Sequence, residues 1–430
     1  MSQAAPMAMS ESGFALAFGL LMLAPLALAG VALVNTGLGR SRSAAQSLLG
    51  SISIAAAAIV MFALVGAALA APASGAGHML TLGGKQWGWA GMGPLALHGF
   101  SSMPARTQLG DLFAFFAVAM AALIPWGAGS DRLRTMAGLG VAVTLGVLVF
   151  PLLTFWIWGP GWLGQLGTNY GLGSGFLDPG GAASSHVLGG LAALVVIWLA
   201  GPRRGKFPRE GLSTAMPGHN AVYVLFGCMA ALIGWLAWNS AGALLWLNAA
   251  PADLPLTAVN TMLSAAGAMG ATMVVTRVRF GKPDASLCAN GWMAGLVTSS
   301  ACAAVVTPFE ALLVGIVSGI ATPLLVEVLE LALSLDDPTG ALSVHAVSGL
   351  WGLFAAGMFA HGRGQMMAQL MGIATLLGLV LPSLYLLLAV LNRFVPFRVE
   401  ADGERIGMDL HELGGAAYPE FVVHRDESYR

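Results

Sequence analysis

DPGGAASSHVLGGL, residues 178–191, and DPTGALSVHAVSGL, residues 337–350, are two copies of one motif. Eight of the fourteen aligned positions are identical: Asp178/Asp337, Pro179/Pro338, Gly181/Gly340, Ala182/Ala341, Ser184/Ser343, His186/His345, Gly190/Gly349 and Leu191/Leu350. Each copy opens with an aspartate and carries a histidine eight residues on, at the start of a long apolar run. What such a pair means depends on the medium around it, and composition settles that. Of 430 residues, 57% are hydrophobic and 9% charged, and mean hydropathy is +0.79. A soluble domain carries about a quarter charged residues. This chain is too poor in charge to cover a water-facing surface, which excludes a soluble enzyme, a disordered chain and a coiled coil. The net charge of −1 gives a nucleic-acid partner no electrostatic support. The 58 glycines follow no collagen period and suit close helix packing in lipid. Cys228, Cys288 and Cys302 form neither a disulfide framework nor a zinc motif. The fold class is an all-α polytopic membrane protein.

Eleven apolar runs have membrane-spanning length, at about 13–36, 45–71, 108–128, 135–158, 181–201, 219–240, 254–276, 284–304, 307–333, 342–361 and 366–392. Sixteen of the 19 Lys and Arg residues fall on one side: Arg40 and Arg42; Arg132 and Arg134; Arg203, Arg204, Lys206 and Arg209; Arg277, Arg279 and Lys282; and Arg393, Arg398, Arg405, Arg425 and Arg430. Only Lys85, Arg106 and Arg363 fall on the other. By the positive-inside rule the N-terminus is outside and the tail cytoplasmic, in a cell (inner) membrane. Five spans separate the two motif copies, so they enter from opposite faces. That makes an inverted five-plus-five repeat with an extra C-terminal helix. The expected division is an extracytoplasmic N-terminus at 1–12, a first half at 13–201, a cytoplasmic linker at 202–218, a second half at 219–361, an eleventh helix at 362–393 and a tail at 394–430.

Each histidine sits roughly 12 Å beyond its aspartate at 1.5 Å per residue. In a hydrocarbon core about 30 Å thick the two rings meet near the centre. His186 and His345 are therefore expected as a neutral, mutually hydrogen-bonded pair, because charge there is costly. Asp336 and Asp337 fit ordinary helix capping. Eight of the 12 tryptophans, Trp235 among them, fall toward the outer face. An interfacial aromatic belt accounts for most of these. Neither histidine has a carboxylate or second histidine three or four residues away, so no metal site and no cofactor is expected.

These residues resemble the Amt/Mep/Rh ammonium transporter family, and the resemblance covers nearly the whole chain. Asp178-x-x-Gly181 leading to His186 is similar to one family signature. Gly234-Trp235-x-x-Trp238-Asn239 is similar to a second, and Asp336-Asp337-Pro338 leading to His345 and Gly349 to a third. Gly407-x-Asp409-x-x-Glu412-x-Gly414, ending at Ala417-Tyr418, resembles the family's C-terminal motif. The resemblance implies a homotrimer in the bilayer, with one pore per subunit lined by His186 and His345. It implies an outer vestibule recruiting ammonium, here Asp178, Trp158, Trp238 and Ser240. It implies a gate at Trp238 and a span-3 phenylalanine, Phe116, with Phe113 and Phe115 as alternatives. Gly407, Asp409, Glu412, Gly414 and Tyr418 become a regulatory tail, touched by a cytoplasmic PII-type protein. The chain departs from the pattern at Trp238, where the family has Phe, at Gly242, where it has Ser, and at Pro179, where it prefers an aromatic.

A bare ammonium ion costs on the order of tens of kcal/mol in a dry pore. A ring face returns only about 0.5–2 kcal/mol. The expected function is therefore ammonium transport for nitrogen uptake, without enzymatic chemistry: recruitment outside, deprotonation, and passage of ammonia along the histidines. An ammonium sensor that binds without conducting, and an Rh-like conduit for another small neutral molecule, are the alternatives.

Overall fold

The structure is a computed structural model that describes residues 9–71 and 77–419. Arg425 and Arg430 lie outside the described residues. Among the described residues, ten helical segments are long and apolar enough to cross a membrane. They are α1 (Glu11–Leu38), α2 (Ser41–Ala70), α3 (Ala105–Ala128), α4 (Thr135–Ile157), α5 (Ala182–Ala200), α6 (Ala221–Trp246), α7 (Pro251–Phe280), α9 (Pro308–Leu331), α10 (Leu342–Phe359) and α11 (Gln365–Phe394). Between α7 and α9 lies α8 (Ala285–Cys302), an 18-residue helix. Asn290, Thr298, Ser299 and Ser300 make it more polar than its neighbours. It tolerates them because it is buried: α6, α7, α9 and α10 all pack on it. The expected run at 219–240 stops short, since α6 continues to Trp246.

The packing partners of the first five helices recur among the next five. α1 packs on α2 and α3, as α6 does on α7 and α8. α2 packs on α3 and α4, as α7 does on α8 and α9. The α3–α5 contact recurs as α8–α10, while α1 against α6 and α5 against α10 join the two sets. At the α1–α6 crossing small residues bring the backbones together. A Cβ on Gly30 would lie 2.6 Å from the Ala231 nitrogen, and one on Gly234 would overlap the Ala27 backbone. Hydrocarbon offers no hydrophobic drive for helix association, so this close packing carries it. Gly234→Val is expected to abolish the assembled protein, read as loss of the monodisperse peak in size-exclusion chromatography, because the backbone has nowhere to move.

The loop between α2 and α3 folds as a hairpin, β1 (Gly77–Leu82) and β2 (Lys85–Gly91), paired antiparallel with Leu82 opposite Lys85. Gly83 and Gly84 both have positive φ, +59° and +73°. That is the two-residue turn that matches strand twist. The hairpin lies on the end of α4: Trp156 Nε1 donates to the Trp89 carbonyl, at 2.7 Å.

On the opposite, basic-loop side, ion pairs tie the loops together. Arg203 binds Asp336 at 2.9 Å and Asp131 at 3.1 Å, and Arg132 lies 3.5 Å from Asp336. Asp336 is 1% exposed. It does not cap a helix, as its position suggests. Two guanidinium groups converge on it and the Arg203 backbone N–H donates to it, at 2.7 Å. Burial alone would raise its pKa. The Arg203 hydrogen bonds and the Arg132 charge outweigh burial and hold it below the ordinary carboxylate value.

Candidate functional site

The two motif copies fold alike. Gly181 and Gly340 both take left-handed backbone, φ +76° and +70°, which turns the chain from its aspartate into the helix. The Asp178 carboxylate then accepts from the Ala183 and Ser184 N–H groups, at 2.9 and 3.0 Å, and from the Ser184 hydroxyl, at 2.8 Å. Asp337 accepts from the Ala341 and Leu342 N–H groups, at 2.9 and 2.7 Å. Each capped helix opens with a π-helical turn, Ala182–Val187 and Leu342–Val347, and each turn carries its histidine. Such wide turns cluster at functional sites.

His186 and His345 come together from the two sides. Their Nδ1 atoms lie 3.3 Å apart and their rings are 5.3 Å apart at 19°. The two residues are 2% and 6% exposed. Trp235 stacks on the other side of His186, at 5.1 Å and 12°, and its Nε1 donates to Ser300 Oγ, at 3.0 Å. Trp235 thus belongs beside the buried pair and not to an interfacial belt. One shared Nδ1–Nδ1 bond fixes complementary tautomers. The ring that donates at Nδ1 keeps Nε2 as an acceptor, and the ring that accepts at Nδ1 keeps Nε2–H as a donor. The pair therefore offers one acceptor and one donor to a small polar molecule.

On the side away from the basic loops four rings cluster. Phe113 meets Trp158 at 5.2 Å, Trp238 at 5.1 Å and Trp246 at 5.8 Å, each edge to face. Trp158 and Trp246 stack at 4.9 Å. Trp158 Nε1 donates to the Asp178 carbonyl, at 2.8 Å, so the aspartate holds that ring with its backbone while its carboxylate caps α5. Ser240 is buried on α6, two residues beyond Trp238. Phe113, not Phe116, is the span-3 ring that meets Trp238. α3 runs unbroken through both, and three residues at 100° each turn Phe116 about 60° away from the Phe113 face. Phe113 was one of three span-3 alternatives, and Trp246 gave no signal in the sequence beyond its type. Asp111 also escaped notice: it is buried within α3, and a carboxylate inside a membrane span marks a functional region by default.

On the basic-loop side a small cleft reaches His345. Val31, Val34, Asn35, Asn290, Met293, Thr339 and Val344 complete its lining.

The tail folds back on that same face. Asp409 accepts from the Gln46 N–H at 2.8 Å and the Ala45 N–H at 3.2 Å, capping the α-helical part of α2. Glu412 accepts from the Thr135 N–H at 3.1 Å and the Thr135 hydroxyl, capping α4. Tyr418 bonds to His219 Nε2, at 3.1 Å. Gly407, at φ +105°, passes where a Cβ would lie 2.5 Å from the Arg42 carbonyl, and Gly414 turns with φ +70°. A cavity of about 350 Å³ lies between this tail and Ser41 and Arg42. Removing either carboxylate, Asp409→Ala or Glu412→Ala, is expected to cost about 1 kcal/mol, the value of one helix cap. Limited proteolysis should then cut the tail faster than in the wild type.

Comparison with known proteins agrees with this arrangement. Residues 14–418 match the model of the Ammonium Transporter Family. The ammonium transporter Amt2 of Archaeoglobus fulgidus is 30% identical over 421 residues, covering 93% of this chain and 86% of that protein. The ammonium transporter of Bacillus subtilis is 28% identical, with 90% and 94% covered. Among solved structures, a sensor Amt protein superposes with a TM-score of 0.84 at 23% identity, covering 93% of this chain and 98% of that one. Saccharomyces cerevisiae Mep2 does so with 0.76 at 23%, covering 92% and 89%. With the match running through both histidine motifs and into the tail, the chain belongs to the ammonium transporter family.

Proposed function

We propose that this chain conducts ammonia across the membrane after taking up ammonium at the four-ring cluster. The observation that carries the reading is the buried contact of His186 with His345 at 3.3 Å, reached from two capped helices entering from opposite sides. Ammonium gathers against Trp158, Trp238 and Phe113, with Asp178 and Ser240 completing the vestibule. Cation–π attraction of about 0.5–2 kcal/mol concentrates the ion but does not carry it through a dry pore. The proton is left at the outer end. Ammonia then passes the Phe113–Trp238 gate and exchanges hydrogen bonds with the complementary Nε2 atoms of the two rings.

In this reading α8 also crosses the membrane, which makes eleven spans in all, and 13–201 and 219–361 are inverted halves flanking the linker 202–218, with α11 as the extra helix. The N-terminus is extracytoplasmic, and the tail from 394 is cytoplasmic. The chain works as a homotrimer, and a PII-type protein docks on the tail residues Gly407 to Tyr418. Recurrence of the helix contacts and fourteen basic residues, among the described ones, in the loops of one side support this topology.

A second reading, a sensor that binds ammonium without conducting, draws support from Trp238 in edge contact with Phe113, a bulkier closure than two phenylalanines. Proteoliposomes separate the two. A conducting wild type gives a current or an internal alkalinisation on an ammonium pulse, and a sensor gives neither. In the same assay Phe113→Ala is expected to raise the half-saturating ammonium concentration roughly 2- to 30-fold, the equivalent of one lost ring contact. Phe116→Ala should leave it within about twofold. Equal effects would remove Phe113 from the recruitment site.

A further inference from the structure

The cavity of about 350 Å³ between the tail and the start of α2 contains a positive charge that the protein leaves unanswered. Arg42 lines it and is partly buried. Among the described residues its guanidinium has neither an ion pair nor a hydrogen bond. Its stem is fixed, because the tail crosses it at Gly407, where a Cβ would lie 2.6 Å from the Arg42 Cβ. The described acidic residues of the tail are all engaged elsewhere. Glu400 pairs with Arg134, Glu404 with Arg204 and Arg398, and Asp402 with Arg405. Glu412 caps α4. Asp409 does line the cavity, but it is 0% exposed and accepts from the Ala45, Gln46 and Ala417 N–H groups, so its charge is spent on the helix start. Arg40, two residues before Arg42, likewise has no side-chain partner among the described residues.

The rest of the lining says what could answer that charge. Ile406, Leu410 and Ala416 give the cavity apolar surface, and Ser41 and Tyr418 bring hydroxyl groups. Its volume falls in the range of pockets that take small organic ligands, about 300–1,000 Å³. A guanidinium meets a phosphate or carboxylate through two parallel N–H bonds. Two uncompensated arginines on one loop favour a dianion, and a phosphomonoester carries about −1.5 to −2 charges near neutral pH. The apolar surface calls for a ring or short chain joined to that phosphate. A cation does not fit beside Arg42, and a simple inorganic anion leaves the apolar surface bare.

We propose that this cavity is a binding site for a phosphomonoester with a compact apolar or aromatic body. Arg42 holds the phosphate, with Ser41 and Tyr418 as hydroxyl partners, and the body packs on Ile406 and Leu410. Because its walls come from both the start of α2 and the tail, the bound ligand ties the tail to the membrane-spanning part of the protein. The site lies apart from the histidine pair and does not depend on the transport reading.

The test uses the full-length protein in phosphatidylcholine nanodiscs, with phenyl phosphate as the probe and phenol as its neutral control. Calorimetry should show one phenyl phosphate bound per chain, and binding should slow proteolytic release of the tail several-fold. Arg42→Gln is expected to lower the affinity about tenfold, and Arg42→Lys, which keeps the charge but loses the fork, by less. Ala416→Trp fills the space with Arg42 in place and should abolish binding, which keeps the test readable if Arg42→Gln does not assemble. Discs containing phosphatidic acid separate the two sources of the phosphate. Tail protection there without phenyl phosphate, lost in Arg42→Gln, supports the same site filled by a lipid headgroup. A wild type that neither binds phenyl phosphate nor gains protection from phosphatidic acid overturns the proposal. So does phenyl phosphate binding that survives both Arg42→Gln and Ala416→Trp, and so does phenol binding as tightly as phenyl phosphate.

Discussion

His345→Ala is expected to lower ammonium-driven conduction by one to two orders of magnitude while leaving the fold intact. The argument runs through the shared bond. With one imidazole gone, the His186 Nδ1 loses its partner at a position 2% exposed. The tautomer of His186 is then no longer fixed, and the alternating acceptor and donor offered to ammonia is lost. A buried polar group left without a partner costs about 1–3 kcal/mol. Felt at the barrier, that is roughly 5- to 150-fold in rate. His186→Ala should act as strongly and should also unstack Trp235, which rests on that ring at 5.1 Å. The measurement is initial rate in proteoliposomes, with intrinsic tryptophan fluorescence as a second readout. A shift in fluorescence is expected for His186→Ala and little for His345→Ala.

The second large effect concerns stability. Asp336→Ala leaves the guanidinium groups of Arg203 and Arg132 facing one another around an emptied buried position. Breaking one partner out of a buried ion cluster typically costs about 3–5 kcal/mol. Thermal unfolding of the detergent-solubilised protein should show a clearly lower midpoint, and Asp336→Asn a smaller drop. The pH dependence of the wild type follows from the direction of the Asp336 shift. Its folded pKa is lowered by Arg203 and Arg132 against the pull of burial, so its contribution is fully present above the unfolded carboxyl value of about 3.9. It is lost as pH falls through the folded value. From about pH 5 to 8 this cluster should contribute no slope to the stability curve, and the fall should begin below about pH 4.

Why some of this could be read from the residues and some could not has a physical basis. The histidine pair was legible because repetition is itself information: two matched motifs in one chain point to a shared site, and the structure brings their two rings together at 3.3 Å. Helix positions were legible because the bilayer imposes a length on each apolar run. The helix least visible in composition, α8, is enclosed by α6, α7, α9 and α10, and that burial lets it carry Asn and Ser. The aromatic cluster was half legible. Trp158 and Trp238 could be named, but whether Phe113 or Phe116 faces Trp238 depends on helix rotation, which a uniformly apolar segment does not encode. Asp336 looked like a cap because its partners, Arg203 and Arg132, lie on distant loops. The β1–β2 hairpin did have a local signal, Gly83-Gly84 between two runs of strand-forming residues, and a turn-based reading would have found it.

The central claim is that His186 and His345 face one another in a single conduit. It can be tested by placing thiols at both positions. In the double variant His186→Cys/His345→Cys, two sulfurs at the separation of the present rings should capture one Cd²⁺ per chain. Capture is read as thiolate–metal absorbance in the ultraviolet, and neither single variant nor the wild type, with its buried Cys228, Cys288 and Cys302, should do so at the same concentration. One Cd²⁺ bound by the double variant alone is the predicted result. No difference between double and single variants, in correctly assembled protein, would contradict it.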